Sequence, residues 1–298
     1  MYKITDKRYL TSNIYLMDIE APRVAKSAKP GQFIIIRNDK KGERIPLTIA
    51  DYDRDKGTIT IVFQTVGAAT RELAQYEIGD YVEDFAGPLG QPSELIYEAV
   101  DNLKGKNILF VAGGVGAAPV YPQVKWLYEQ GIKADVIIGA RTKDLIILED
   151  EMKKVAGNLY VSTDDGSYGF NGRVTDMLNH LVNNENKKYD HAIVIGPMIM
   201  MKFMSKLTKE LNIKTTVSLN PIMVDGTGMC GACRVTIGGN VKFACVDGPE
   251  FDGHLVDFDE SMRRQALYKT EEGRALLRME EGTTHKHGGC GCGCGGEK

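Results

Sequence analysis

Ile108-Leu-Phe-Val-Ala-Gly113-Gly114-Val115-Gly116-Ala-Ala-Pro119 reads as a buried strand, a glycine turn and the start of a helix. An unbroken apolar run suits a strand covered on both faces. Glycines after it let the backbone approach a pyrophosphate closely, and the helix N-terminus offers free N–H groups to an anion. Pro119 stands near the first helical turn, where proline is tolerated. A tight strand–helix turn with no ligand would use the same glycines, so the surroundings must decide.

Outward from this turn, residues 107–113, 134–139, 159–163 and 191–196 are short apolar runs, with helical stretches at 120–130 and 174–183 between them. Buried runs alternating with helices predict a doubly wound parallel sheet, here over 99–214. Ligands of such sheets sit at the carboxyl ends of the strands. Gly113, Gly114 and Gly116 are therefore expected at the dinucleotide. Gly196-Pro197 is a second reversal at that edge, expected near the nicotinamide. Thr163-Asp164-Asp165-Gly166 ends the third run there too. Carboxylates at this point bond ribose hydroxyls and repel a 2′-phosphate, which favours NAD. Arg141 and Lys143 follow the second run and could instead receive a 2′-phosphate.

Residues 1–98 have a different texture. Segments 32–36, 58–63 and 81–85 are rich in Ile, Val, Phe or Tyr with turn residues between them, and Gly67-Ala-Ala-Thr-Arg-Glu-Leu-Ala opens the single short helix expected in this half. Closely spaced strands with one helix predict a small antiparallel barrel.

The six cysteines are clustered: none occurs before Cys230. In a cytosolic chain that placement favours metal ligation over a disulfide framework. Asp225-Gly-Thr-Gly-Met-Cys230-Gly-Ala-Cys233, then eleven residues and Cys245, has D-x4-C-x2-C-x11-C spacing. Plant-type 2Fe–2S sites use C-x4-C-x2-C with a more distant fourth cysteine, so a carboxylate stands where the first thiolate would be. The glycines let the loop wrap a cluster and aim N–H groups at it. Zinc held by three cysteines and a carboxylate, or structural thiols without metal, are the competing readings. Asp247 could serve in place of Asp225. The lobe spans 215–257, a charged helix-prone extension 258–284, and a Cys/Gly/His tail 285–298. Cys290, Cys292 and Cys294 of that tail, with His285 and His287, either bind a soft metal or belong to a disordered end.

The 298 residues allow roughly two domains of ~100–200 residues. Hydrophobic residues make up 43% and charged residues 26%, an ordinary soluble balance, and a net charge of −3 argues against nucleic acid. The apolar stretch at 108–120 is shorter than the ~20 residues a membrane span needs. MYKITDKRYL lacks an apolar signal region, so a cytoplasmic location is expected. Trp126 is expected in the core. Ser162 and the histidines form no hydrolytic triad.

With these residues in view, the chain resembles the ferredoxin–NADP reductase superfamily. Within it the likeness is to the small subunits of NADH-dependent reduced ferredoxin:NADP oxidoreductases, and to dihydroorotate dehydrogenase electron-transfer subunits. It covers roughly residues 1–265. The resemblance implies an FAD barrel, an NAD domain and a 2Fe–2S lobe. The superfamily's R-x-Y-S-like strand appears as Arg44-Ile-Pro46-Leu47-Thr48, with Thr48 beside the reactive flavin nitrogen. Val66-Gly67-Ala-Ala-Thr70 resembles the flavin diphosphate turn. The C-G-P-x-x-M motif appears as Ile195-Gly196-Pro197-Met198-Ile199-Met200 without its cysteine. The resemblance also implies a heterodimer with a larger flavin and 4Fe–4S subunit, and electron bifurcation linking NADPH, ferredoxin and NAD. Extension 259–281 is a candidate docking helix, or packs on its own domain.

A nicotinamide exchanges two electrons as hydride and a 2Fe–2S cluster takes one at a time. A flavin converts between the two.

Overall fold

The computed structural model describes residues 1–280. The tail cysteines and their expected metal or disorder lie outside the described residues.

Residues 2–89 form seven strands: β1 (Tyr2–Thr11), β2 (Ile14–Glu20), β3 (Phe33–Arg37), β4 (Arg44–Asp53), β5 (Thr58–Gln64), β6 (Tyr81–Val82) and β7 (Asp84–Leu89). Their order is β6-β1-β2-β5-β4-β3-β7, antiparallel throughout. The two edge strands are consecutive in the chain, which brings the sheet's ends together as a nearly closed barrel. Ile4, Met17, Ile19, Ile34, Ile36, Ile59, Ile61 and Phe63 fill its interior. Helix α2 (Ala68–Leu73) matches the expected short helix, but α1 (Pro22–Ser27) is a second one. It has proline in its first turn and buries only Val24 and Ala25, too little periodicity to stand out.

Next come α3 (Val100–Lys104), β8 (Ile108–Gly113), α4 (Ala117–Glu129), β9 (Asp135–Ala140), α5 (Glu149–Val155), β10 (Leu159–Thr163), β11 (Phe170–Asn171), α6 (Val174–Asn183), β12 (His191–Ile195), α7 (Met198–Glu210) and β13 (Lys214–Ser218). The parallel sheet has order β11-β10-β9-β8-β12-β13. Period-two alternation splits its central strand between two cores. Phe110 and Ala112 pack with Val120, Val124 and Leu127 of α4, whereas Leu109 and Val111 pack with residues of α6 and α7. The α4 core continues into the barrel through Ile14, Leu16, Ala50 and Val62. Lys125 on α4 reinforces that junction by donating to both Asp51 carboxylate oxygens at 2.9 and 2.8 Å. Trp126 is half-buried against this core.

The last segment weaves back. β14 (Arg234–Ile237) and β15 (Asn240–Phe243) form a hairpin, α8 (Ala244–Asp247) carries Cys245, and β16 (Glu250–Asp252) adds antiparallel to β13. The stretch 215–257 therefore begins and nearly ends within the parallel sheet. The extension is two helices, α9 (Phe258–Gln265) and α10 (Lys269–Glu280), where one was expected. Asp257 caps α9 by accepting from the Glu260 amide at 2.8 Å, and Phe258 anchors it in the core. The break falls at Leu267 and Tyr268, both exposed, where the helix has no core left to follow. Arg71 on α2 and Glu280 on α10 lie 2.7 Å apart. Among the described residues no helix is long and apolar enough to cross a membrane.

Candidate functional site

A cleft of about 1430 Å³ lies where barrel, parallel sheet and lobe meet. Pro46, Leu47 and Thr48 enter from β4, Gly113 from the end of β8, Gly114 and Gly116 from the turn after it, and Pro119 from the first turn of α4. Asp164, Gly196 and Pro197 join them at carboxyl ends of strands, as the parallel-sheet rule requires, with Met200 from the first turn of α7.

At Gly113, Gly116 and Gly196 nothing larger fits. A Cβ on Gly116 would stand 2.2 Å from the Ile195 carbonyl oxygen, and one on Gly113 would stand 2.3 Å from Met200 Sδ. Gly196 faces Gly113 across β12, so a Cβ there would lie 3.1 Å from the Gly113 Cα. The two reversals thus pack on each other, with Met200 wedged between them. Gly114 has φ +55° and open space around it, leaving its backbone accessible to a phosphate.

Other expected residues stand outside the cleft lining. Thr70 Oγ1 accepts from the Val66 and Gly67 amides at 3.1 Å, holding the start of α2. Thr163 is fully buried and its hydroxyl donates to the Tyr168 carbonyl at 2.7 Å. Asp165 accepts from the Ser167 hydroxyl and amide, which hold its carboxyl below the usual range. Arg44 Nε donates to the Val224 carbonyl at 3.0 Å. Arg141 does line the cleft together with Asp164, so a cation and a carboxylate both stand at the carboxyl edge of the sheet. Lys143 lies over the Tyr168 ring.

The cleft also takes Phe33, Gln64, Arg173, Leu219, Met223 and Pro249, none anticipated. They come from separate elements, and no spacing in the chain links them.

The lobe places its cysteines unequally. Cys233 and Cys245 are buried with Sγ atoms 3.2 Å apart, and Cys230 is exposed. Burial, then the neighbouring Cys233 thiol, pushes Cys245 up to about 12. Ligation there must release a proton. Asp225 Oδ1 accepts from the Thr227 amide at 2.9 Å and Oδ2 from the Cys230 amide at 3.0 Å. These bonds, Thr227 foremost, keep its carboxyl below the usual range and therefore anionic. Asp247 accepts from the Phe243 amide at 2.7 Å. Among the described residues no three His, Cys, Asp or Glu side chains converge to hold a single metal ion. Of the four expected donors, Cys233 and Cys245 meet in the core, while Asp225 and the exposed Cys230 share the loop and are joined through the Cys230 amide. A group with two metal atoms, each needing its own ligands, fits that arrangement.

Glu250 closes the base of the junction. Its Oε1 accepts from Gln123 Nε2 of α4 at 2.7 Å, while Oε2 is enclosed without a hydrogen-bond partner among the described residues. Burial is the main reason its carboxyl is raised from 4.5 to about 7. A folded state that holds this proton more tightly than the unfolded chain loses stability as pH rises from about 4.5 to about 7, then levels off. Glu250→Gln is expected to flatten that decline in urea unfolding at pH 5, 6, 7 and 8. An unchanged pH profile would show that Glu250 is not the group responsible.

A barrel leading into a dinucleotide-binding parallel sheet, with a cysteine lobe at their junction, is the build of ferredoxin–NADP reductase-type oxidoreductases. Residues 110–206 match the oxidoreductase NAD-binding domain, and residues 220–257 match the iron–sulfur cluster binding domain of dihydroorotate dehydrogenase B. The chain belongs to the family of dihydroorotate dehydrogenase B electron-transfer subunits. A homologue of that subunit from Thermotoga maritima is 47% identical over 91% of this chain and 92% of its own length. An uncharacterized protein of Clostridium beijerinckii is 75% identical over 97% and 98%. A solved structure of an NADH-dependent reduced ferredoxin–NADP oxidoreductase, described for flavin-based electron bifurcation, superposes with a TM-score of 0.86 at 45% identity, covering 94% of this chain and 98% of that one. The protein is an oxidoreductase with FAD, NAD(H) and 2Fe–2S as its cofactor set.

Proposed function

We propose that the chain carries electrons between NAD(H) and a larger flavin and 4Fe–4S partner subunit in ferredoxin:NADP oxidoreductase electron bifurcation. The single observation that carries this reading is the lobe's position. Its buried cysteines share a core with Phe33 and Ile35 of β3, the strand paired with Pro46, Leu47 and Thr48. Iron held by the lobe and flavin lined by β4 would therefore lie side by side. The likeness to the ferredoxin–NADP oxidoreductase structure and the carboxylate at position 225 favour this reading over service to a dihydroorotate dehydrogenase.

When bound, the flavin supplies conversion between hydride and single electrons. The chain's own residues provide positions. Thr48 would polarise the reactive flavin nitrogen, and Gly196-Pro197 would leave room for the nicotinamide to stack. Gly113, Gly114 and Gly116 would cradle the dinucleotide phosphates, with Pro119 in the helix turn behind them and Asp164 at a ribose. Pro46 and Leu47 would line the flavin ring, and Val66, Gly67 and Thr70 would meet the flavin diphosphate. Asp225, Cys230, Cys233 and Cys245 would hold iron. Met229, 88% exposed beside the exposed Cys230, supports a partner approaching at this edge.

The visible spectrum of anaerobically purified protein tests the reading. Flavin bands with iron–sulfur absorbance, and capture of a 4Fe–4S partner by pull-down, are expected. A colourless zinc protein would sink it, and capture of an FMN barrel would favour the dihydroorotate alternative. Asp225→Cys is expected to keep a 2Fe–2S centre with altered potential, whereas Asp225→Ala loses or weakens it. Identical iron content and potential in both variants would remove Asp225 from the ligand set.

A further inference from the structure

We infer that Arg44 and Gln91 form a two-point clamp that fixes the cysteine lobe to the barrel, acting as positioning residues for electron passage. This rests on the reading that the lobe holds iron and the barrel holds flavin.

Arg44 opens β4, the strand that carries Thr48, yet its side chain turns to the lobe. Nε donates to the carbonyl of Val224 at 3.0 Å, and Val224 immediately precedes Asp225. Asp84 lies 3.9 Å from the Arg44 guanidinium and 2.5 Å from Arg37, completing a charged row at this edge of the barrel. On the other side, Gln91 follows β7 and donates from Nε2 to the Val246 carbonyl at 2.9 Å. Val246 immediately follows Cys245. The Gln91 amide also donates to the Gly248 carbonyl at 2.5 Å. Both side chains therefore reach backbone oxygens one residue from an expected iron ligand.

Between the two points the lobe packs closely on the barrel. Phe33 and Ile35 of the barrel pack with Met223, Cys233, Ala244 and Cys245. Gly226 lies so close that a Cβ would stand 2.7 Å from Leu89 Cδ1 and 2.9 Å from Ile35 Cδ1. Its φ of +77° is a conformation that other residues resist.

The two clamp residues have distinguishable effects. Arg44 brings a positive charge to the loop, and a cation nearby stabilises the more negative reduced form of a cluster, raising its potential. Gln91 is neutral and restrains position alone.

The test uses the full-length protein and the Arg44→Ala, Arg44→Lys and Gln91→Ala variants, read by amide exchange, iron content and paramagnetic resonance after reduction. In Arg44→Ala, exchange across 222–228 is expected to rise about tenfold, the effect of losing one hydrogen bond to a charged group. Its reduced iron signal should titrate at a lower potential. Arg44→Lys should recover the potential, because the charge returns, while exchange stays raised. Gln91→Ala should loosen 244–248 without moving the potential. If Arg44→Ala fails to fold, the lysine and Gln91 variants carry the test. Wild-type exchange in both loops of these variants overturns the clamp. Wild-type protein without any iron signal instead overturns the functional reading, and the exchange data then judge the clamp separately.

Discussion

Cys233→Ser protein is expected to purify with little or no iron and without iron–sulfur absorbance, while its flavin bands persist. Cys233 and Cys245 are each 1% exposed, so no outside group can replace a missing thiolate there. A serine hydroxyl does not ionise in a site whose burial already pushes the neighbouring thiol up to about 12. It would also bury a polar group among Phe33, Ile35 and Ala244, costing about 1–3 kcal/mol if left unpaired. Iron analysis, the visible spectrum and a thermal unfolding curve separate loss of ligand from loss of fold. Normal iron content in a folded Cys233→Ser protein would exclude the buried pair from the cluster. Flavin retention is part of the expectation, because the cleft lining includes neither cysteine.

Gly116→Ala is expected to weaken NADH binding at least about tenfold, about 1.4 kcal/mol, and to cost about 1–3 kcal/mol of stability. The added methyl would meet the Ile195 carbonyl oxygen at 2.2 Å and its carbon at 2.7 Å, both backbone atoms of a central strand. They cannot rotate aside, so β8 and β12 must separate at the edge proposed to take the dinucleotide. Gly114→Ala is the comparison: among the described residues nothing lies within 4 Å of its added methyl, so its stability cost is confined to the φ of +55°, and any loss of NADH affinity reads the methyl's approach to the phosphates. NADH titration followed by flavin bleaching, together with urea unfolding, reads both variants. Equal losses of stability in the two would show that conformational strain governs this turn, not the contact with Ile195.

Several parts of this molecule were legible in the chain because their cause is local. Residues 108–119 carry an apolar run and a glycine turn whose requirements are met within a few bonds, and β8 and α4 lie where the pattern puts them. The same holds for the runs that become β9, β10 and β12, whose burial on two faces leaves a continuous apolar signature. The cysteine spacing is local as well. In contrast, α1 and the break between α9 and α10 escaped notice, because short helices are decided by what they pack against.

Amino-acid order by itself determined the antiparallel-then-parallel architecture, the glycine turn after β8 and the clustering of the cysteines, since each depends on neighbours along the chain. Only the tertiary structure decided that Arg44 reaches the lobe, that Thr163 is spent on Tyr168, that Pro249 and Met223 line the cleft, and that β13 and β16 tie the lobe into the sheet. Those outcomes join residues far apart in sequence. Their partners are chosen by shape and by the need to satisfy buried polar groups, and neither is written in local spacing.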